Sequence, residues 1–247
     1  MNIFFTKKGK GQKVILLHGW SGSHLSMSPL QDELSQVGFE VYNLDLPGFG
    51  KTPLTKPAMT LSDYVLATLD FMKEQQIENP ILIGHSFGGK ISAKIAIGDS
   101  VIAGLVLISA SGIYPQNASK KGLMFKISGF GKVIFSLPIL KIFFHPIRKF
   151  FYYYIVRERD YFNAGEKLRQ TFININNEHL ENNLRKIKVP TLIIWGEADR
   201  VTPLWMGKKM AELIPRARLE VIGGARHGLV FSYSEIISKL IYNYFKK

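Results

Sequence analysis

The chain has 247 residues, of which 46% are hydrophobic and 21% charged, and it contains no cysteine. That length fits one large domain or one domain carrying an insertion, and the composition excludes disordered, collagen-like and coiled-coil classes. The missing cysteine excludes disulfide scaffolds, zinc–thiolate sites and thiol nucleophiles, and suits a reducing compartment. The formal net charge is +13; residues 110–190 hold 14 Lys and Arg against 5 Asp and Glu, so most of the excess is regional.

The chain opens Met1-Asn2-Ile3-Phe4-Phe5-Thr6-Lys7-Lys8 and reaches charge before an apolar core of signal length develops. A cytoplasmic location without a secretion signal is expected. No window approaches the roughly 18–20 apolar residues of a spanning helix; residues 133–140 and 150–156 are too short and basic at their flanks. Six short apolar runs follow one another at residues 14–17, 40–46, 80–83, 104–108, 191–195 and 218–222, and turn residues follow each. Their Val, Ile and Leu content predicts strands buried on both faces. Helices are predicted over 61–76, where residues 61, 64, 65, 68, 69 and 72 share a face, and over 87–97, 205–214 and 234–244. Pro203 opens the third, and Ser232 or Ser234 caps the last. Alternating strands and helices imply a mostly parallel sheet covered by helices.

Residues 112–188 break this rhythm. They are aromatic, basic and helical in pattern, interrupted by Pro115, Pro138 and Pro146, and include Phe143, Phe144, Phe150, Phe151 and Tyr152-Tyr153-Tyr154. They are read as an insertion over the sheet, leaving 1–111 and 189–247 as the core. Its aromatics either pack its own helices together, line a pocket or face a membrane.

The sharpest local feature is Gly84-His85-Ser86-Phe87-Gly88-Gly89, between a predicted strand and a predicted helix. A Gly-x-Ser-x-Gly in that context presents a serine on a strained turn above a helix N-terminus, where developing negative charge is favoured. A serine hydroxyl needs a base, and the base needs a carboxylate to fix its tautomer. Of six histidines, His227 follows the last predicted strand in Gly223-Gly224-Ala225-Arg226-His227-Gly228, and Asp199 follows the strand before it in Gly196-Glu197-Ala198-Asp199. Both lie beyond strand carboxyl ends, where open α/β sheets place their sites. Glu197 is the competing acid. His85 is read as a packing or hydrogen-bonding residue.

With these residues in hand, the sequence resembles the α/β-hydrolase family over nearly its whole length. Ser86, Asp199 and His227 stand in the family's order of nucleophile, acid and base. His18-Gly19-Trp20, Asp45-Leu46-Pro47-Gly48-Phe49-Gly50 and the Gly196, Asp199, Pro203 spacing match as well. The resemblance implies an α/β fold with a mostly parallel sheet of roughly eight strands and a helical cap over 112–188. It also implies an oxyanion hole from the backbone N–H groups of Phe87 and Trp20. Trp20, Phe87 and Leu229 are expected to touch substrate, and His18 to brace its loop.

Weaker signals do not hold up. Gly48-Phe49-Gly50-Lys51-Thr52 looks like the end of a phosphate loop, but the first glycine of that pattern falls on Asp45 and Pro53 stops a following helix. No dinucleotide fingerprint, His-Glu-x-x-His or compact carboxylate cluster occurs, so neither a cofactor nor a metal is expected. No nucleic-acid module is visible. Lys120-Lys121, Arg148-Lys149 and Arg157 beside apolar stretches raise peripheral contact with an anionic membrane.

The expected activity is hydrolysis of a small ester with an apolar or aromatic acyl group through an acyl-enzyme. Carbon–carbon bond, thioester and monoacylglycerol-type lipid hydrolysis use the same three residues, and a ligand sensor with a slow site is the rival from another class. Many carbon–carbon hydrolases resemble His-x-Trp at the base, whereas here Gly228-Leu229 follows His227. The oligomeric state is not readable.

Overall fold

The computed structural model describes residues 2–98, 102–113 and 166–246. Strands β1 (Phe5–Lys8), β2 (Gln12–Leu17), β3 (Phe39–Leu44), β4 (Ile81–His85), β5 (Gly104–Ile108), β6 (Thr191–Gly196) and β7 (Ala217–Ile222) form one sheet in the order β1-β3-β2-β4-β5-β6-β7. All neighbours are parallel except β1, which runs antiparallel to β3 with Phe5 opposite Leu44. Six of the seven are the apolar runs of the sequence. The seventh, β1, reads Phe-Thr-Lys-Lys, too short and too polar to stand out, and its lysines protect an open sheet edge. The described sheet therefore has seven strands rather than about eight.

The inner strands β2 to β6 bury both faces because their side chains alternate between two clusters, whereas the edge strands β1 and β7 stay partly exposed. Ile15, Leu17, Leu44, Leu82, Leu105, Leu107, Ile193 and Trp195 belong to one cluster, with α2 (Leu61–Glu74), α3 (Phe87–Ile97) and α5 (Leu204–Leu213) packed over it. Val14, Leu16, Val41, Ile81, Ile83, Val106, Ile108 and Ile194 belong to the other, beneath α1 (His24–Gln36), α6 (Leu229–Ser232) and α7 (Ser234–Phe245). Helix α1 has no counterpart among the predicted elements. It begins His-Leu-Ser-Met-Ser-Pro, yet Met27, Leu30, Gln31 and Leu34 form a buried stripe at helical spacing. Ser23 and Ser26 close a capping box, and the Ser28 hydroxyl donates to the Leu25 carbonyl (2.9 Å), the acceptor that Pro29 has no N–H to reach.

The expected insertion over 112–188 falls largely outside the described residues, as do its lysine and arginine pairs and its Phe and Tyr runs. Its described return comprises α4 (Glu166–Asn177) and a 3-10 turn, Glu181–Lys186. Helix α4 is tied to the core by main-chain and side-chain bonds. The Met59 N–H donates to Thr171 Oγ1 (2.9 Å), and buried Lys90 of α3 donates to the last-turn carbonyl of Ile175 (2.5 Å). Burial pushes the Lys90 ammonium down to about 8. One turn on, Lys94 pairs with Glu178 and reaches Ser62. Among the described residues no helix is long and apolar enough to cross a membrane.

From β2 the chain crosses to β3 on one side and returns to β4 on the other. The sheet order thus reverses between β2 and β4, and open α/β sheets bind ligands beyond the strand carboxyl ends at such a point. His18-Gly19-Trp20 leaves β2 there and Ser86 leaves β4.

Candidate active site

Ser86 lies between β4 and α3 with φ 50° and ψ −110°, a left-handed backbone in a residue other than glycine. Such strain persists only where the surroundings over-determine it. Here the Ser86 N–H donates to Ile108 O of β5 (3.0 Å), and its carbonyl accepts from Ser111 N–H (3.0 Å) and Lys90 N–H (3.2 Å). The glycines around it are close approaches. A Cβ at Gly84 would collide with the Gly88 carbonyl, and one at Gly88 with the Leu17 carbonyl, where Gly88 N–H already donates to His18 O (3.1 Å). Phe87 is the first residue of α3, so its N–H has no carbonyl a turn earlier to bond.

The loop after β2 lies directly against the serine. A Cβ on Gly19 would stand 3.3 Å from Ser86 Cβ. Gly22 N–H donates to Gly19 O (3.0 Å), closing the turn that carries Trp20. His18 braces it: the Leu46 N–H donates to Nε2 (3.0 Å), so Nδ1 keeps the proton and donates to Gly19 O (2.7 Å). Burial pushes this imidazole down to about 4, leaving a neutral strut at neutral pH.

The phosphate-loop look-alike is structural as well. Asp45 is fully buried and accepts from the main-chain N–H groups of His24 (2.6 Å) and Lys51 (2.8 Å) and from the His24 ring (2.9 Å). Burial raises its pKa, but those bonds outweigh the burial and the net shift is downward. Gly50, at φ 55°, packs on that carboxylate where any Cβ would collide.

Asp199 and His227 come together. The imidazole Nδ1 lies 2.8 Å from Asp199 Oδ2, with the carboxylate side chain buried and the imidazole 22% exposed. Asp199 Oδ1 accepts from the N–H groups of Val201 (2.9 Å) and Thr202 (3.0 Å), an Asx-type turn that fixes the carboxylate. Burial opposes ionisation here too, yet the bonds led by His227 hold the Asp199 pKa below its ordinary value. The rival acid, Glu197, is exposed and accepts instead from Gly224 N–H (3.0 Å). The His227 ring stands 4.9 Å, centroid to centroid, from that of His85 beside the partly exposed Ser86. No hydrogen bond joins His227 to Ser86 Oγ among the described residues.

Two residues belong to this network without having stood out in the sequence. Thr202 Oγ1 lies 3.0 Å from both Asp199 Oδ2 and Ser109 O, and 3.2 Å from His227 Nδ1. Its place three residues after an aspartate was a readable turn signal. Phe172 of α4 packs edge-on against Trp20 with centroids 5.0 Å apart, and nothing in the sequence pairs those two. Trp20 also meets Phe49 (5.0 Å) and Phe87 (5.5 Å), forming an aromatic wall beside the serine. The Phe87 ring itself is 3% exposed, wedged between Trp20 and Tyr64. Leu229 is a correction. It is 1% exposed and packs in the cluster under α1 and α7, on the other face of the sheet from the aromatic wall, so its side chain is core and not pocket lining. A cavity of about 320 Å³ bordered by Arg218, Glu220 and Tyr244 lies at the opposite, amino end of β7.

Residues 14–237 match the profile of the α/β hydrolase family, and the chain belongs to that family. Among its relatives is the AB hydrolase superfamily protein YisY of Bacillus subtilis, 27% identical over 98% of this chain and 94% of the relative. Another is the 2-hydroxy-6-oxo-6-phenylhexa-2,4-dienoate hydrolase of Comamonas testosteroni, 26% identical over 99% and 91%. The pimeloyl-[acyl-carrier protein] methyl ester esterase of Wigglesworthia glossinidia brevipalpis is 25% identical over 95% and 93%. The family and these relatives support a hydrolase.

Proposed function

We propose that the chain hydrolyses carboxylic esters through an acyl-enzyme on Ser86. The observation that carries this reading is the 2.8 Å bond between Asp199 and His227, set beside a serine held at positive φ. With its Nδ1 proton held by Asp199, the imidazole offers Nε2 as a base. Nε2 takes the Ser86 proton as Oγ bonds to the ester carbonyl carbon. The carbonyl oxygen becomes an oxyanion that accepts from the main-chain N–H groups of Phe87 and Trp20, donors worth about 10²–10³ each in rate. Collapse breaks the bond to the alkoxy oxygen, which leaves as alcohol with the proton from Nε2. Water then attacks the acyl-enzyme by the same route, giving up its proton to Nε2, and the acid and free Ser86 are released. Contact between Nε2 and Oγ commonly tightens only when substrate closes the site.

The Trp20, Phe49 and Phe172 wall favours an apolar or aromatic acyl group. The relative named as a methyl ester esterase supports ester chemistry, and the relative named as a dienoate hydrolase marks the nearest rival. Turnover of p-nitrophenyl acetate, butyrate and octanoate tests the reading. Hydrolysis that rises from acetate to the longer acyl chains is expected; absence of turnover on the whole series would remove the ester assignment.

A further inference from the structure

His85 is a partly buried imidazole that the mechanism above leaves unused. Its ring lies between the two loops on which that mechanism depends. On one side its Nε2–H donates to the main-chain carbonyl of His227 (2.9 Å). On the other, a Cβ on Gly19 would stand 3.0 Å from its Nδ1, so the loop carrying Trp20 comes as near as a residue without a side chain allows. The ring is carried by the last residue of β4, paired in register with Ile108 of β5, which makes it a rigid mount. The loop it holds is more exposed: Gly223, Gly224 and Gly228 all face solvent, and the loop's other ties, from Gly224 N–H to Glu197, from Ala198 N–H to Ala225 O and from Phe231 N–H to Gly228 O, lie to either side of His227.

We propose that His85 is a positioning residue whose bond to the His227 carbonyl fixes the base-bearing loop against the strand that carries the nucleophile. The inference rests on the ester-hydrolase reading of Ser86 and His227. Asp199 and Thr202 both meet the His227 ring at Nδ1, and contacts at that single atom leave the ring free to pivot about it. The carbonyl bond supplies a second anchor, and two anchors define where Nε2 stands over Ser86. The donor has to be neutral, because an imidazolium there would face the imidazolium that forms on His227 in each cycle. His227, Asp199 and His18 are the titratable groups that face it. Burial first, then the neighbouring His227, holds His85 down to about 4, so it keeps one proton throughout the neutral range.

The test compares His85→Phe, which keeps a flat ring without the donor, with His85→Gln, which keeps a donor, and with His85→Leu as a second donorless variant should the first fold poorly. The split between kcat and KM on p-nitrophenyl butyrate is read together with thermal melting. The donorless variants are expected to lose about 10–100-fold in kcat with KM within about threefold, since misplacement of a reacting group acts on the chemical step. His85→Gln is expected to recover most of kcat. Wild-type kcat in a folded donorless variant would overturn the proposal. So would a His85→Gln variant as impaired as His85→Phe, which would make the ring mere packing. Ser86→Ala separates the two readings: wild-type turnover that does not depend on Ser86 removes both, while Ser86-dependent turnover with an unimpaired His85→Phe removes only the positioning role.

Discussion

Ser86→Ala is expected to lower kcat on p-nitrophenyl esters by about five to six orders of magnitude, leaving only what the oxyanion donors and binding supply. The protein should remain folded with a nearly unchanged melting temperature. Ser86 Oγ makes no hydrogen bond to a described residue, so its removal orphans no buried partner among them. Alanine and serine share the cost of the positive φ, which the bonds to Ile108 and Ser111 impose in either case. Steady-state kinetics and thermal melting on the purified variant check both parts. A folded variant that keeps more than about a tenth of wild-type kcat would assign the chemistry elsewhere.

Asp199→Asn is the second large effect, and its direction follows from the hydrogen bonds around the carboxylate. Oδ1 accepts from the N–H groups of Val201 and Thr202, so the amide oxygen of asparagine would take that position. Its NH2 would then replace Oδ2 beside His227 Nδ1 and donate to it. The imidazole proton is driven to Nε2, where a base is needed, and kcat should fall by about three to four orders of magnitude. The same variant carries a stability signature. The native Asp199 pKa lies below its ordinary value, so the ionised form adds stability above the unfolded carboxylate range of about 3.9. That contribution is lost as pH falls through the depressed native value, and the asparagine variant should show a flatter acid limb of melting temperature against pH. A variant with wild-type kcat at neutral pH would remove Asp199 from the mechanism.

Much of this was legible because the physics is local. Six strands announced themselves as short runs rich in Val, Ile and Leu ending in turns, most clearly β2, β4, β5 and β6, where burial on both faces leaves no polar alternation to disguise the strand. The serine turn was readable because its glycines answer to close backbone approaches that no other residue allows. Helix α1 escaped because three serines and Pro29 mask a stripe of only three apolar residues, and the hydroxyl that repairs the proline gap is visible only in three dimensions. Leu229 was misplaced because nearness in sequence to His227 says nothing of which face of the sheet a side chain meets after a turn. His85 was read as a packing or hydrogen-bonding group; that its partner is the His227 main chain, 142 residues away, is a fact of topology, as is the meeting of Trp20 with Phe172.

The most direct test of the account is covalent. Wild-type protein treated with an alkyl fluorophosphonate, digested and mapped by mass spectrometry should carry one adduct, on the peptide containing Ser86, and His227→Gln should suppress it. An adduct on a different serine, or ester turnover that continues unchanged in protein fully labelled elsewhere, would contradict the assignment of Ser86 as the nucleophile.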